Sequence, residues 1–360
     1  MKMTFRWYGE DDKVTLENIR QIPLMHGIVT AIYDIPVGEV WPRERIKKLV
    51  DTVEAHGMPI DVIESVPVHE DIKMGKPTRE KLVDNYCQTI RNLGAEGIHT
   101  VCYNFMPVFD WTRTDLNYVN EDGSTALIFE EDVAEKMDPL SGDLELPGWD
   151  SSYTKEELAQ IMTEYQDISQ EDLWDNITYF LERVIPVAEE AGITMVIHPD
   201  DPPYPIFGLP RIITGLEAAE RFLDIVDSPS NSLTVCCGSY GSTPENDSVE
   251  ILRMALERDR VKFVHGRNIK FTQGRSFHEV PHPTEYGDVD LYNVVKALSD
   301  YDYKGFIRPD HGRMIWGETG RPGYGLYDRA LGSVYLNGLW EAIRKDEGKD
   351  LLRDREFYGM

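Results

Sequence analysis

Four short apolar runs in the carboxyl-terminal half of the chain each close on a side chain that can hold a metal ion or move a proton. They are residues 193–198 (ITMVIH), 232–237 (SLTVCC), 261–265 (VKFVH) and 305–310 (GFIRPD), the last followed by His311, Gly312 and Arg313. His198 and Cys237 are 39 positions apart, Cys237 and His265 28, and His265 and Asp310 45. Each gap holds about one strand-helix unit, roughly 30 residues or more. Parallel strands advancing one unit at a time bring His198, Cys237, His265 and Asp310 to one end of one sheet. Two imidazoles, a thiolate and a carboxylate fill most of a divalent ion's first shell and leave room for a substrate. The thiolate favours Zn or Fe(II), whereas the carboxylate and an open, oxygen-rich site also suit Mn.

Strand parity supports the convergence, because alternate side chains of a barrel strand face the interior. Thr194, Val196 and His198 share a face, as do Leu233, Val235 and Cys237, then Val261, Phe263 and His265, then Phe306, Arg308 and Asp310. Taken singly, each has a plainer role: a hydrogen-bonded core histidine, a small buried hydrophobe, a partner for Arg308. Four together at matching parity select the metal. Cys236 reads as a small hydrophobe, and His278 and His282 as histidines of the loop after the seventh strand.

The elements that must position these residues alternate along the whole chain. Residues 4–9, 27–33, 59–66 and 98–104 read as four earlier strands. Pro42 opens a helix with Ile46, Leu49, Val50 and Val53 on one face and Gly57 at its end. Leu82, Tyr86, Ile90 and Leu93 mark another, and further helices fall at 172–190, 216–226, 249–257, 291–298 and 326–344. Eight strands and eight helices make an α/β chain of (β/α)8, TIM-type barrel class. Such a barrel uses about 250 residues, so the 360 residues read as one catalytic domain, 1–360, with its surplus in insertions. The chief one, 108–170 after strand four, reads as a cap or lid. It contains Phe109-Asp110-Trp111, Gly148-Trp149 and a capping box of Thr154 with Glu157.

A formal charge of -27 argues against a nucleic-acid surface or a polybasic membrane anchor, both of which need clustered Lys and Arg. No apolar stretch approaches the roughly 18 residues of a membrane span, and the opening residues lack a signal peptide's apolar middle. Four irregularly spaced cysteines make no disulfide framework. The expected location is cytoplasmic.

Residues 5–9 (FRWYG), 196–203 (VIHPDDPP), 264–268 (VHGRN) and 308–313 (RPDHGR) together resemble the D-mannonate dehydratase family of hexuronate degradation, over essentially the whole chain. The resemblance implies a metal-dependent lyase that converts D-mannonate to 2-keto-3-deoxy-D-gluconate and water with Mn(II) or Fe(II). It assigns metal binding to His198, Cys237, His265 and Asp310, and acid-base chemistry to His311 and Tyr324. Abstracting a proton alpha to a carboxylate adds charge to an anion, so cations must surround the substrate. Arg6, Arg267, Arg308 and Arg313, at or beyond strand ends, suit that task. Asn104, Asp200, His69 and Trp316 are candidate polar partners for the substrate, and Trp7 or Trp316 a flat cover. Two rivals share these features: a metal-dependent sugar isomerase on the same barrel, and a non-catalytic sugar-acid-binding protein with a structural metal. An acidic insertion that covers a neighbouring copy predicts a homo-oligomer.

Overall fold

The apolar runs pair in parallel and close on themselves. The computed structural model describes residues 1–140, 154–353 and 355–358, so Gly148 and Trp149 lie outside the described residues. Its strands in chain order are β1 (Lys2–Arg6), β2 (Met25–Thr30), β3 (Ile60–Glu64), β4 (Thr100–Tyr103), β5 (Asp115–Val119), β6 (Thr125–Phe129), β7 (Thr194–Ile197), β8 (Asn231–Cys236), β9 (Val261–Gly266), β10 (Ile269–Gln273), β11 (Ser276–Glu279) and β12 (Phe306–Pro309). Strands β1–β4, β7–β9 and β12 form a closed eight-stranded barrel, each paired with its sequence neighbour in the barrel and β1 closing against β12.

Both faces of these strands are buried, which is why they read as continuous apolar runs. Val29, Val62, Cys102, Val196 and Phe263 fill the interior, with Phe306 packed against them. Ile28, Ile63, Val101, Ile197, Leu233 and Ile307 face the surrounding helices. Helix Arg43–Glu54 starts after Pro42 and buries Ile46, Leu49 and Val53. Helix Gln170–Ala191 begins on a Ser169/Asp172 capping box and ends at Gly192, whose φ of 67° is the left-handed conformation that glycine adopts without strain. Among the described residues no helix is long and apolar enough to cross a membrane.

The insertion after β4 holds the antiparallel β5–β6 hairpin, then helix Lys155–Glu164, which starts on the Thr154/Glu157 capping box. The hairpin is half of a larger element. The stretch after the seventh barrel strand, read as a loop holding His278, instead forms a second hairpin, and β11 pairs with β6 to complete a four-stranded antiparallel sheet over the barrel mouth. The signal was present as two alternating runs around Gly274-Arg275, but the expected cap was confined to one stretch of chain. A backbone pair between Thr125 and Met314 also ties the sheet to the loop after β12.

Candidate active site

The carboxyl ends of the barrel strands, Asp110 and Trp111 of the insertion, and Tyr324 of the loop after β12 enclose a cleft with ≈ 570 Å³ of atom-free space, part of it open to solvent. Arg6 enters it from β1, Glu64 from β3, Asn104 from just beyond β4, His198 from just beyond β7, and Arg308 with Asp310 from the end of β12. This is the end of a (β/α)8 barrel at which loops after the strands build sites.

His198, Cys236 and His265 present one nitrogen, one sulfur and one nitrogen within 4.8 Å of one another. Asp310 adjoins them, its Oδ2 3.5 Å from Cys236 Sγ and its Oδ1 3.7 Å from His265 Nδ1. The thiol in this group is not Cys237. Cys236 pairs in register with His265, and His265 with Arg308. Directly paired residues point to the same side of a sheet, so Cys236 faces inward with His265 and its neighbour must face out. Cys237 packs in the apolar layer between barrel and helices, where burial pushes its thiol up to about 12. The register between β8 and β9 shifts between Leu233 and Thr234, where Lys262 of β9 is passed over, while β8 itself keeps its alternation. Thr234 and Cys236, not the more apolar Val235 and Cys237, are the interior residues.

His265 Nδ1 is buried and has no hydrogen-bond partner, while His198 Nδ1 lies 2.7 Å from the Pro199 carbonyl. A proton on that nitrogen leaves His198 Nε2 as a ligand atom. Burial first, then the Arg308 guanidinium, lower the His265 pKa far below the usual histidine range and keep the ring neutral. Burial alone would raise the Asp310 carboxyl, but Arg308 and its other cationic neighbours hold it well below the carboxylate range. Two neutral imidazoles, a carboxylate and a thiol drawn together make a donor set that fits a divalent cation.

Beside them stands a histidine–tyrosine pair. His311 Nε2 is 3.0 Å from Tyr324 Oη, and His311 Nδ1 is 3.0 Å from Glu279 Oε1. Burial raises the Tyr324 phenol well above its ordinary range. Behind the pair runs a buried charge network. Arg113 reaches Asp201 Oδ1 and Glu279 Oε1 at 2.9 Å each, and Arg267 Nη1 reaches Asp201 Oδ2 at 2.9 Å and Asp310 Oδ2 at 3.2 Å. Arg267 crosses against Gly238, where any Cβ would overlap its Nε. Gly238→Ala is therefore expected to cost about 1–3 kcal/mol of stability, the usual price of overpacking, despite alanine's better helix propensity. A thermal midpoint equal to that of the unsubstituted chain would show that Arg267 can move aside.

The family model for D-mannonate dehydratase (UxuA) matches residues 1–350. The chain belongs to the D-mannonate dehydratase family. Among its relatives, mannonate dehydratase of Streptococcus uberis is 68% identical over 96% of this chain and 99% of that protein. Mannonate dehydratase 2 of Halalkalibacterium halodurans is 58% identical over 95% of this chain and 99% of that one. The crystal structure of mannonate dehydratase from Streptococcus suis serotype 2 superposes with a TM-score of 0.91 at 54% identity, covering 97% of this chain and 96% of that chain. D-psicose 3-epimerase from Clostridium cellulolyticum H10, at 13% identity and a TM-score of 0.55 over 96% and 99% of the two chains, shares the fold.

In this D-mannonate dehydratase family site, Arg6, Asn104, Arg267 and Arg308 line the cleft as expected of substrate-facing groups, but five residues of the expected set do not. Trp7 is buried in the core, and Tyr8 takes the place at the mouth. Asp200 accepts the Ile212 and Ile213 amides at 2.7 and 2.9 Å, a structural task, while Asp201 beside it lines the cleft. His69 caps a short helix and lines a different crevice. Arg313 pairs with Asp328 and Asp122. Trp316 is 74% exposed and packs on Tyr327. A side chain that flanks a motif in sequence need not flank it in space: Trp7 and Trp316 had composition in their favour but the wrong parity or loop. The cleft is also lined by Tyr8, Glu64, Asp110, Trp111 and Asp201, and Cys236 joins the cluster with His198 and His265. Of these, Glu64 and Cys236 could have been found as the last residues of strands.

Proposed function

We propose that this chain is a D-mannonate dehydratase, a hydro-lyase that removes water from D-mannonate to give 2-keto-3-deoxy-D-gluconate in glucuronate catabolism. The observation that carries this reading is the His311–Tyr324 pair beside the His198–Cys236–His265–Asp310 cluster, in a chain 68% identical to a mannonate dehydratase. Those four residues would hold Mn2+ or Fe2+, and the bound ion would stabilise negative charge gathering on the substrate carboxylate. Burial holds the Cys236 thiol far above its ordinary range, so the cation must displace its proton on binding.

The protein's own groups supply the rest. Arg308 Nη1 is buried without a hydrogen-bond partner in a residue that lines the cleft, a donor suited to the substrate carboxylate. Arg6, its guanidinium 4.8 Å from the Tyr8 ring centroid, and Arg267 add positive potential inside a chain of charge -27. Asn104, whose amide donates to Asp110 at 2.7 Å, and Asp110 offer polar partners for hydroxyl groups. His311 takes the C2 proton, and Tyr324, kept protonated by burial, gives one to the departing C3 hydroxyl. Trp111, its ring 4.7 Å from that of His311, covers the pair.

Four buried, unbridged cysteines support a cytoplasmic setting. The uncharged exposed stripe of Tyr327, Leu331 and Val334 on the last long helix supports a homo-oligomer, because a strongly anionic chain meets its own copy best through a face without charge.

The deciding experiment is turnover of D-mannonate by chelator-treated and metal-restored protein, with the product identified. Activity is expected to disappear with the metal and return with Mn2+ or Fe2+ as release of a 2-keto-3-deoxy acid. Aldose-ketose exchange without water loss would favour the isomerase, and binding without turnover a sugar-acid-binding protein.

A further inference from the structure

We propose that Glu279, delivered by cap strand β11, is the positioning residue that makes His311 the base and leaves Tyr324 the acid. The inference rests on the dehydratase reading and adds which imidazole nitrogen carries the proton. His311 Nδ1 faces two groups of opposite character: Glu279 Oε1 at 3.0 Å and Arg267 Nη1 at 3.3 Å. A guanidinium nitrogen of this kind has two protons to donate. Arg267 Nη1 has two nearer acceptors, Asp201 Oδ2 at 2.9 Å and Asp310 Oδ2 at 3.2 Å. The ionised Glu279 carboxylate can only accept. Nδ1 therefore carries the proton and donates to Glu279, and Nε2 carries the lone pair.

Glu279 is held for this task. It is fully buried, Arg113 Nη2 donates to the same Oε1 at 2.9 Å, and its other oxygen lies 3.7 Å from Arg267 Nε. Arg113 comes from the insertion after β4, so both halves of the cap meet at this one carboxylate. As His311 becomes imidazolium, the fixed negative charge behind Nδ1 stabilises it, the logic by which a buried carboxylate supports a histidine base.

The protons and electrons then balance. The C2–H bond breaks, and its proton goes to His311 Nε2. The electron pair forms the C2–C3 double bond as the C3–O bond breaks, and the oxygen leaves with the Tyr324 proton as water. The imidazolium returns a proton to the phenolate across their 3.0 Å contact, and the enol tautomerises to the 2-keto acid.

The test is Glu279→Gln, which keeps size and removes charge, measured on metal-loaded full-length protein. The expected result is a fall in kcat of roughly 10²–10⁴-fold, as for other histidine bases deprived of their carboxylate, with KM changed less than about 3-fold. Metal content should stay unchanged, and a C2-deuterated substrate should show a larger isotope effect on kcat than it does with the unsubstituted enzyme. A kcat within about 3-fold of the unsubstituted enzyme would overturn the proposal. So would a loss of activity that runs parallel to a loss of metal or thermal stability. Histidine-15N spectra of the zinc-loaded, unsubstituted chain read the tautomer without turnover, His311→Asn identifying the signal. A bare Nδ1 there refutes the proposal even if mannonate is dehydrated, and a protonated Nδ1 upholds it even if mannonate proves to be the wrong substrate.

Discussion

Cys236→Ser is expected to lose its divalent metal during purification, while Cys237→Ser retains it. Loss of a group that merely orients a ligand costs 10–100-fold in metal affinity, so replacing the thiolate itself should cost roughly 100-fold or more. Catalysis should fall in proportion to metal content and recover in part when Mn2+ is supplied in excess. Cys237→Ser, made in the apolar layer outside the barrel, should instead lower the thermal midpoint through a buried hydroxyl and leave the metal-to-protein ratio unchanged. Elemental analysis of the two variants side by side separates them, and the opposite pattern would mean that β8 is one residue out of register.

His311→Asn should keep metal and substrate binding yet lower kcat by about 10²–10⁴-fold, the span that a positioned proton-transfer group supplies. Tyr324→Phe should fall in the same span, because each residue is needed once in the cycle and they are the two halves of one relay. The double variant should be scarcely slower than either single one, since groups that act as a unit do not contribute additively. Full additivity in a steady-state comparison would assign them to separate steps.

The barrel was legible because its signal is redundant. Eight apolar runs, some of them preceded by a helix-ending glycine such as Gly57 or Gly192, all point to the same architecture, so one misjudged boundary changes nothing. The site was legible less evenly. His198, His265 and Asp310 lie on strands whose interior residues Val196, Phe263 and Phe306 keep plain alternation. β8 alternates as well, but its sequence points to the wrong face as the inner one, because both faces of a parallel strand are buried and the outer one, against helices, is the more apolar. Adjacent cysteines offered no chemical tie-breaker. Glu279 and Arg113 were invisible for another reason. Nothing local marks an acidic residue at the end of a short polar strand as the partner of a histidine brought in by the barrel; only the pairing of β6 with β11 does.

That pairing has a consequence for how the chain is made. Glu131 and Ser276, hydrogen-bonded across the cap, are 145 residues apart in sequence. At a synthesis rate of about 5–20 residues per second, the first hairpin leaves the ribosome roughly 7–30 s before its partner exists. Throughout that wait β6 offers Ala126, Leu127, Ile128 and Phe129 along an open edge, the kind of surface that recruits other chains. Vulnerability during biosynthesis should therefore concentrate in the cap rather than in the barrel, and a nascent chain released before residue 276 would emerge with that edge still unsatisfied.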